Sequence, residues 1–316
     1  MRAALSRRGF LTIAAGATLV AACSSPKPGE VAKDGSVTVK HIFGETKIPA
    51  PPKRVVSAGF TEHDDLLALG VVPIAITDWF GGEPFGVWPW AKPKLGAAQP
   101  AVLTLNDGIQ IPQIASLKPD LIVAINAGLD QDTYNRLSAI APTVAQSGQD
   151  AFFEPWKDQA TTIGQAVFKA DDMAKLITGV DDTFASVGKN NPQFAGKKVL
   201  LLGGTFYENS VRVTTPGWRT DFLTSMGFTV PDTGPVPREQ MAAVLDGADV
   251  LIWTTESDDE QAALLEDSVV AKLRATVQNR NVFTGKDLAG AVAFASPLSY
   301  PVVADQLPPL IAKALT

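Results

Sequence analysis

The sequence predicts an α/β fold of two lobes, each with a mostly parallel sheet flanked by helices, joined by one long rigid helix. Three observations carry this. Short apolar runs alternate with amphipathic stretches through residues 54–145, as they do where helices cross over between parallel strands. The same grammar restarts after residue 195. Between the two halves Met173, Ile177, Val180, Phe184 and Val187 recur at spacings of 4, 3, 4 and 3, which marks one apolar face of a single helix.

In the first half, residues 54–58 read as a buried strand, and Thr61 supplies an N-cap for a helix through Leu69 that Gly70 stops. Residues 73–77 form the next strand. A short helix over 111–117 feeds a strand at 119–124, and a helix over 130–140 precedes a strand at 142–145. In the second half, 198–202 is a strand, 220–226 a helix stopped by Gly227, and 228–230 a strand; a helix over 237–245 then leads to a strand at 249–253. Two segments match in kind. Helix followed by Lys118-Pro119-Asp120-Leu121-Ile122-Val123 parallels helix followed by Gly247-Ala248-Asp249-Val250-Leu251-Ile252, which points to an internal duplication of one lobe. The connector, 170–189, carries Asp171 and Asp172 in its first turn, where they complement the helix dipole, and ends at Asn190-Asn191-Pro192. About twenty residues at 1.5 Å each make a rod of roughly 30 Å.

Composition narrows the function classes. The chain is 46% hydrophobic and 19% charged, too apolar to stay disordered. Its 33 acidic side chains outnumber 27 basic ones, and a formal charge of −6 argues against general affinity for nucleic acid. One cysteine excludes a disulfide scaffold, a thiolate-rich zinc site and an iron-sulfur cluster. That cysteine has a different use. Arg7-Arg8 followed by Phe10 and Leu11 resembles a twin-arginine export signal, and Val20-Ala21-Ala22-Cys23 resembles a bacterial lipobox. Residues 1–22 are then a cleaved signal peptide, Cys23 the lipidated residue, and 23–35 a flexible tether holding the body off the extracytoplasmic face of the cell membrane. Loss of the signal removes Arg2, Arg7 and Arg8 and no acid, so the exported body is more acidic still.

Catalytic constellations are weak. There are two histidines, His41 and His63, no His/Cys/Asp cluster at metal-ligand spacing, and no nucleophile elbow or phosphate-binding loop around Gly203-Gly204. No enzyme activity and no resident cofactor or metal are expected. The acidic run at Glu62-His63-Asp64-Asp65 falls at a helix start, where capping and the dipole account for it. Recognition groups are more evident. Trp79, Phe80, Trp88 and Trp90 share one loop after the strand ending at Thr77, and loops after parallel strands form the ligand crevice of α/β proteins. In the second half Phe206 and Tyr207 follow the strand at 198–202, and Arg212, Trp218 and Arg219 lie soon after; arginine offers a planar fork to carboxylate, hydroxamate or phenolate oxygens. Trp253 and Tyr300 are weaker candidates, a strand end and a helix start.

These motifs resemble the substrate-binding lipoproteins of bacterial ABC importers for ferric siderophores, with cobalamin and haem relatives. The similarity rests on Val37-Thr38-Val39-Lys40-His41 with Gly44, on Pro52-Lys53-Arg54-Val55-Val56, on Glu62 and Leu66 to Gly70, on Leu117-Lys118-Pro119-Asp120-Leu121-Ile122, and on Asp221 to Gly227. It is closest to actinobacterial iron-siderophore-binding members. The resemblance implies an N-terminal lobe over 36–168, a connecting helix over 169–191, a C-terminal lobe over 192–316, a shallow cleft between lobes, and modest hinge motion. It also implies a monomer that delivers a ferric-siderophore chelate to an ABC permease. Ligand contacts would come from Trp79, Phe80, Trp88 and Trp90 on one lobe and Tyr207, Arg212, Trp218 and Arg219 on the other. Docking to permease arginines would use Glu239 in Pro237-Arg238-Glu239-Gln240; the matching N-lobe position is Pro112, so Asp107 substitutes or docking is asymmetric. His41 matches a position near the lobe edge, a structural role. Two alternatives remain: haem, with His63, Tyr207 or Tyr300 as axial ligand, and a surface hydrolase needing a pair such as Ser57 with His63.

Overall fold

Four strands of the first lobe are buried at every position, because helices cover both faces of the parallel sheet they form. The computed structural model describes residues 29–316, so the signal sequence and Cys23 lie outside the described residues. A hairpin of β1 (Val37–His41) and β2 (Gly44–Ile48) leads in. There follow β3 (Val55–Ser57), α1 (Glu62–Ala68), β4 (Ala75–Thr77), α2 (Lys92–Leu95), β5 (Ala101–Leu103), α3 (Ile111–Ser116), β6 (Leu121–Ala124), α4 (Gln131–Ser138) and β7 (Thr143–Ala145). The sheet order is β5-β4-β3-β6-β7 and every pair is parallel. Then α5 (Trp156–Ala166) and the long α6 (Ala170–Asn190) carry the chain to the second lobe.

The second lobe contains β8 (Val199–Tyr207), β9 (Ser210–Val213), α7 (Asp221–Ser225), β10 (Val236–Pro237), α8 (Met241–Leu245), β11 (Val250–Thr254), α9 (Asp258–Glu266), α10 (Arg274–Val277), β12 (Asn281–Phe283), α11 (Gly285–Phe294) and α12 (Tyr300–Ala314). Its order, β10-β9-β8-β11-β12, repeats the first sheet's, with β8, β11 and β12 parallel and β9 antiparallel to both of its neighbours, β8 and β10. The duplicated segment therefore occupies equivalent places, because β6 lies beside β3 as β11 lies beside β8. One aspartate does the same work in each. Asp120 accepts from the Lys53 and Arg54 amides at 2.9 and 2.7 Å, and Asp249 from the Lys198 amide at 2.8 Å, while each Asp amide donates back to Arg54 or Lys198. The side chain replaces ladder bonds that the strand start lacks.

Three local expectations change. The Gly203-Gly204 pair does not end β8. The strand runs on through Phe206 and Tyr207, paired to β9 across a register shift between Leu202 and Phe206, with Glu208 and Asn209 at positive φ in the turn. Residues 228–230 make a single bridge, Lys198 to Thr229, rather than a strand. Thr61 stands at the N-cap of α1 without capping it; its hydroxyl donates to Gln159 Oε1 at 3.1 Å and accepts from Asn126.

Alternate strand residues face different cores. Val56, Ile122 and Ala124 pack outward with α3 and α4, and Leu200, Leu202 and Leu251 pack outward in the second lobe. Val55, Leu121 and Val123 face inward, as do Val199, Leu201 and Ile252, and both sets belong to one core with Met173, Val180 and Phe184 of α6 and Tyr300 of α12. The apolar face of α6 is thus common to both lobes.

Candidate ligand-binding site

The crevice opens where β4, β7 and β11 end, as the rule for parallel sheets requires. A cavity of about 640 Å³ lies between the lobes. The first lobe contributes aromatic rings only: Trp79 and Phe80 from the loop after β4, and Phe153 from the loop after β7. The second lobe contributes the polar groups: Arg212 from β9, Thr214 and Thr215 just beyond it, Arg219 ahead of α7, and Thr254 and Glu256 around the end of β11. Ala289, Val292 and Ala293 of α11 form an apolar floor.

Trp79 meets Phe153 at 4.9 Å and Phe80 at 4.6 Å, and Phe60 stacks on Trp79 at 5.6 Å, so the wall is a rigid set of rings. Trp88 and Trp90 stand behind it. Trp88 is buried, stacked on Trp90 at 5.0 Å, and clasped by Gly81 and Gly290, where an added Cβ would collide with its ring. Gly81 also sits at φ +90°, so glycine is required there twice over. The Trp90 indole N–H donates to Asp64 at 2.8 Å, and Phe294 of α11 packs on Trp79, Phe80, Trp88 and Trp90 together. Neither Trp88 nor Trp90 lines the cavity.

On the opposite wall the Arg219 guanidinium lies 4.3 Å from the Trp218 ring and 5.0 Å from Phe153, so a side chain of one lobe rests on a ring of the other. Trp218 serves as its platform and does not line the cavity. Burial draws Arg219 below its usual pKa, and the neighbouring Arg212 charge acts in the same direction. Glu256 is shifted upward by burial and by Glu260. Tyr207 is 72% exposed at the tip of the β8–β9 hairpin, outside the cavity, and Phe206 beside it stacks under Arg238.

The remaining candidates fall elsewhere. His41 is buried against Thr46 and Tyr134. His63 is wholly buried and Tyr300 is packed among Trp156, Phe184 and Phe222, so none of His63, Tyr207 and Tyr300 lines the cavity as an axial ligand would. Ser57 Oγ is buried with no hydrogen-bond partner and forms no pair with His63. Trp253 is core, donating to Asn281. Among the described residues no group of three or more His, Cys, Asp or Glu is placed to hold a metal ion, and no helix is long and apolar enough to cross a membrane. Glu239, in a 3-10 turn before α8, and Asp107, in the loop before α3, are both exposed, as is Pro112. Sequence reasoning passed over Phe153 and Glu256, although the rule that nominated the loop after β4 applies equally to the loops after β7 and β11.

Comparison with known proteins gives concordant results. A family model described as periplasmic binding protein matches residues 55–288. The crystal structure of a periplasmic solute binding protein from Mycobacterium smegmatis is 69% identical, covering 90% of this chain and 100% of that one, with a TM-score of 0.89. The Bacillus subtilis protein named probable siderophore-binding lipoprotein YfiY is 33% identical over 220 residues, 68% of this chain and 64% of its own length. The iron uptake ABC transporter substrate-binding protein PiaA from Streptococcus pneumoniae shares the fold at 24% identity, with a TM-score of 0.70 over 88% of this chain and 99% of that one.

Proposed function

The chain belongs to the periplasmic binding protein family, and from that premise we propose that it is a receptor which captures a ferric-siderophore chelate between its lobes and delivers it to an ABC permease. The observation that carries this reading is the cleft itself. An aromatic wall from one lobe faces two arginines and several hydroxyls from the other across about 640 Å³, room for a chelate and not for a folded partner. Rings supply contact area to the organic arms of a chelate at small entropic cost, and the guanidinium forks suit its oxygens. The iron arrives with its coordination already filled, so the protein need supply no metal ligand. Names borne by relatives, a siderophore-binding lipoprotein and an iron uptake substrate-binding protein, support the same substrate class.

In this reading, residues 36–168 and 192–316 are the two lobes, 169–191 the connector, and Cys23 the lipid anchor that keeps a monomeric receptor at the outer face of the cytoplasmic membrane after twin-arginine export. The primary contacts are Trp79, Phe80, Arg212 and Arg219; Trp88, Trp90 and Trp218 support them, and Tyr207 stands at the rim. Glu239 and Asp107 are the docking acids. Titration with ferric hydroxamate, catecholate and citrate chelates tests the reading through tryptophan fluorescence, because Trp79 lines the cleft and Trp88 and Trp90 lie one ring behind it. Quenching at micromolar concentration is expected from at least one; silence from all three would sink it.

A further inference from the structure

Arg212 and Arg219 line the cavity as cations without an anion. Arg238 pairs with Asp267 at 2.5 Å, Arg54 donates to the Leu117 and Lys118 carbonyls, and Arg274 donates to the Ala248 carbonyl, so these three act as structural cross-links. Among the described residues neither Arg212 nor Arg219 has a carboxylate within ion-pair distance or a hydrogen-bond acceptor. Arg219 is held instead by two rings, Trp218 and Phe153, which fix the plane of the guanidinium and leave its N–H edge free. The two charges are close enough to repel one another. Glu256 is the single carboxylate among the lining residues, so the lining carries a cationic excess within a chain of net charge −6. Arg219 is partly desolvated and the more exposed Arg212 sets a like charge beside it, neither with a counter-ion, so an anionic guest relieves a cost that the empty cleft carries.

We infer that the guest is a non-porphyrin iron chelate of net negative charge whose free carboxylates pair with Arg212 and Arg219, in preference to neutral trishydroxamate chelates. This rests on the ferric-chelate reading of the cleft and adds the ligand's charge and the groups that read it. The division of labour follows the lobes. Trp79, Phe80 and Phe153 give sequence-tolerant stacking area, while the second lobe selects for charge. A carboxylate meeting the fork of Arg212 or Arg219 makes two charge-assisted bonds in one plane, which a neutral hydroxamate arm cannot match.

The test compares four probes by tryptophan fluorescence and calorimetry on the purified protein: ferric citrate, a ferric carboxylate-type siderophore, ferrichrome as a neutral trishydroxamate, and haemin. At least one of the two carboxylate chelates should bind ten times more tightly than ferrichrome or haemin. Its affinity should fall as salt rises, and Arg212→Gln and Arg219→Gln should each weaken it at least tenfold, a larger loss than either causes for ferrichrome. Salt dependence on the unaltered protein keeps the inference exposed if either variant folds poorly. Equal binding of neutral and anionic chelates, insensitive to salt and to both substitutions, overturns the inference and leaves the ferric-chelate reading standing. Tighter binding of haemin overturns it in favour of propionate recognition. Failure of every iron complex removes the reading on which it rests.

Discussion

At the scale of single residues, the most demanding feature is the run Glu62, His63, Asp64 and Asp65, four ionisable side chains in succession with none more than 1% exposed. Capping and the helix dipole do not account for it. Glu62 accepts from the Asn126 and Thr61 amides, tying the loops after β3 and β6; Asp64 accepts from Trp90 and Ser296; Asp65 accepts from Gln159. Burial pushes Glu62 up to about 7 and Asp64 up to about 6, pushes Asp65 well upward with help from both neighbouring acids, and holds His63 down near 4. Acids with raised folded-state pKa values bind more protons folded than unfolded. Their stabilising contribution is complete below about pH 4 and is lost as pH rises through 6 to 7, and His63 opposes it in the same window with one proton against three. The melting temperature should therefore fall between pH 5 and pH 7.5. Asp65→Asn keeps the acceptor for Gln159 and removes the charge, so it should raise the melting temperature at pH 7.5 and raise it less at pH 5. A melting temperature that rises with pH in the parent protein would refute this account.

At the scale of elements, α11 and α12 join the lobes through one turn. Ala295 ends α11 at φ 49°, and Ser296 and Ser299 then exchange side-chain bonds with each other's amides at 2.9 Å, which fixes the start of α12. Ser296 Oγ also donates to Asp64 Oδ2 at 2.6 Å, so the helix start in the second half is bonded to a buried carboxylate of the first. Phe294, two residues earlier, is the ring on which Trp79 and Phe80 lean. Packing and polar contacts therefore fix the cleft wall from the same turn. Ser296→Ala removes a donor to a buried carboxylate and half of the reciprocal cap, and should cost about 2 kcal/mol in chemical denaturation. A cost near zero would mean that water replaces the hydroxyl.

At the scale of the whole molecule, the lobes share a core along α6 and are also clasped at the cleft rim, where Glu83 pairs with Lys92 of its own lobe and Lys286 of the other at 2.9 and 2.8 Å. Free swinging of one lobe would expose shared apolar surface, so large closure is opposed and small adjustment favoured. Delivery then has to be recognised through surfaces that persist in both states. The docking proposal predicts that Glu239→Arg abolishes uptake of radiolabelled ferric chelate by cells while the purified protein keeps its affinity. Lost affinity would assign Glu239 to the cleft instead.

The alternation of β3, β4, β6 and β7 with their helices, the long α6 and the repeated helix-to-strand unit were all legible in the chain's residue pattern. These are local: apolar runs, caps and periodicity are written within a dozen residues. The pattern also pointed to the loop that holds Trp79 and Phe80, because position after a parallel strand is local information too. Which rings face the cavity depends on packing between distant segments. Trp79 and Trp88 belong to one loop with the same aromatic character, yet the glycines at 81 and 290 and the ring of Phe294 draw Trp88 inward and leave Trp79 outward. The continuation of β8 through two glycines depended on a partner strand, the burial of four ionisable groups on residues as distant as Gln159 and Ser296, and the meeting of Arg219 with Phe153 on two chain segments brought together across the cleft. Contacts between groups far apart in sequence have energies set by the packed geometry, and no local pattern encodes them.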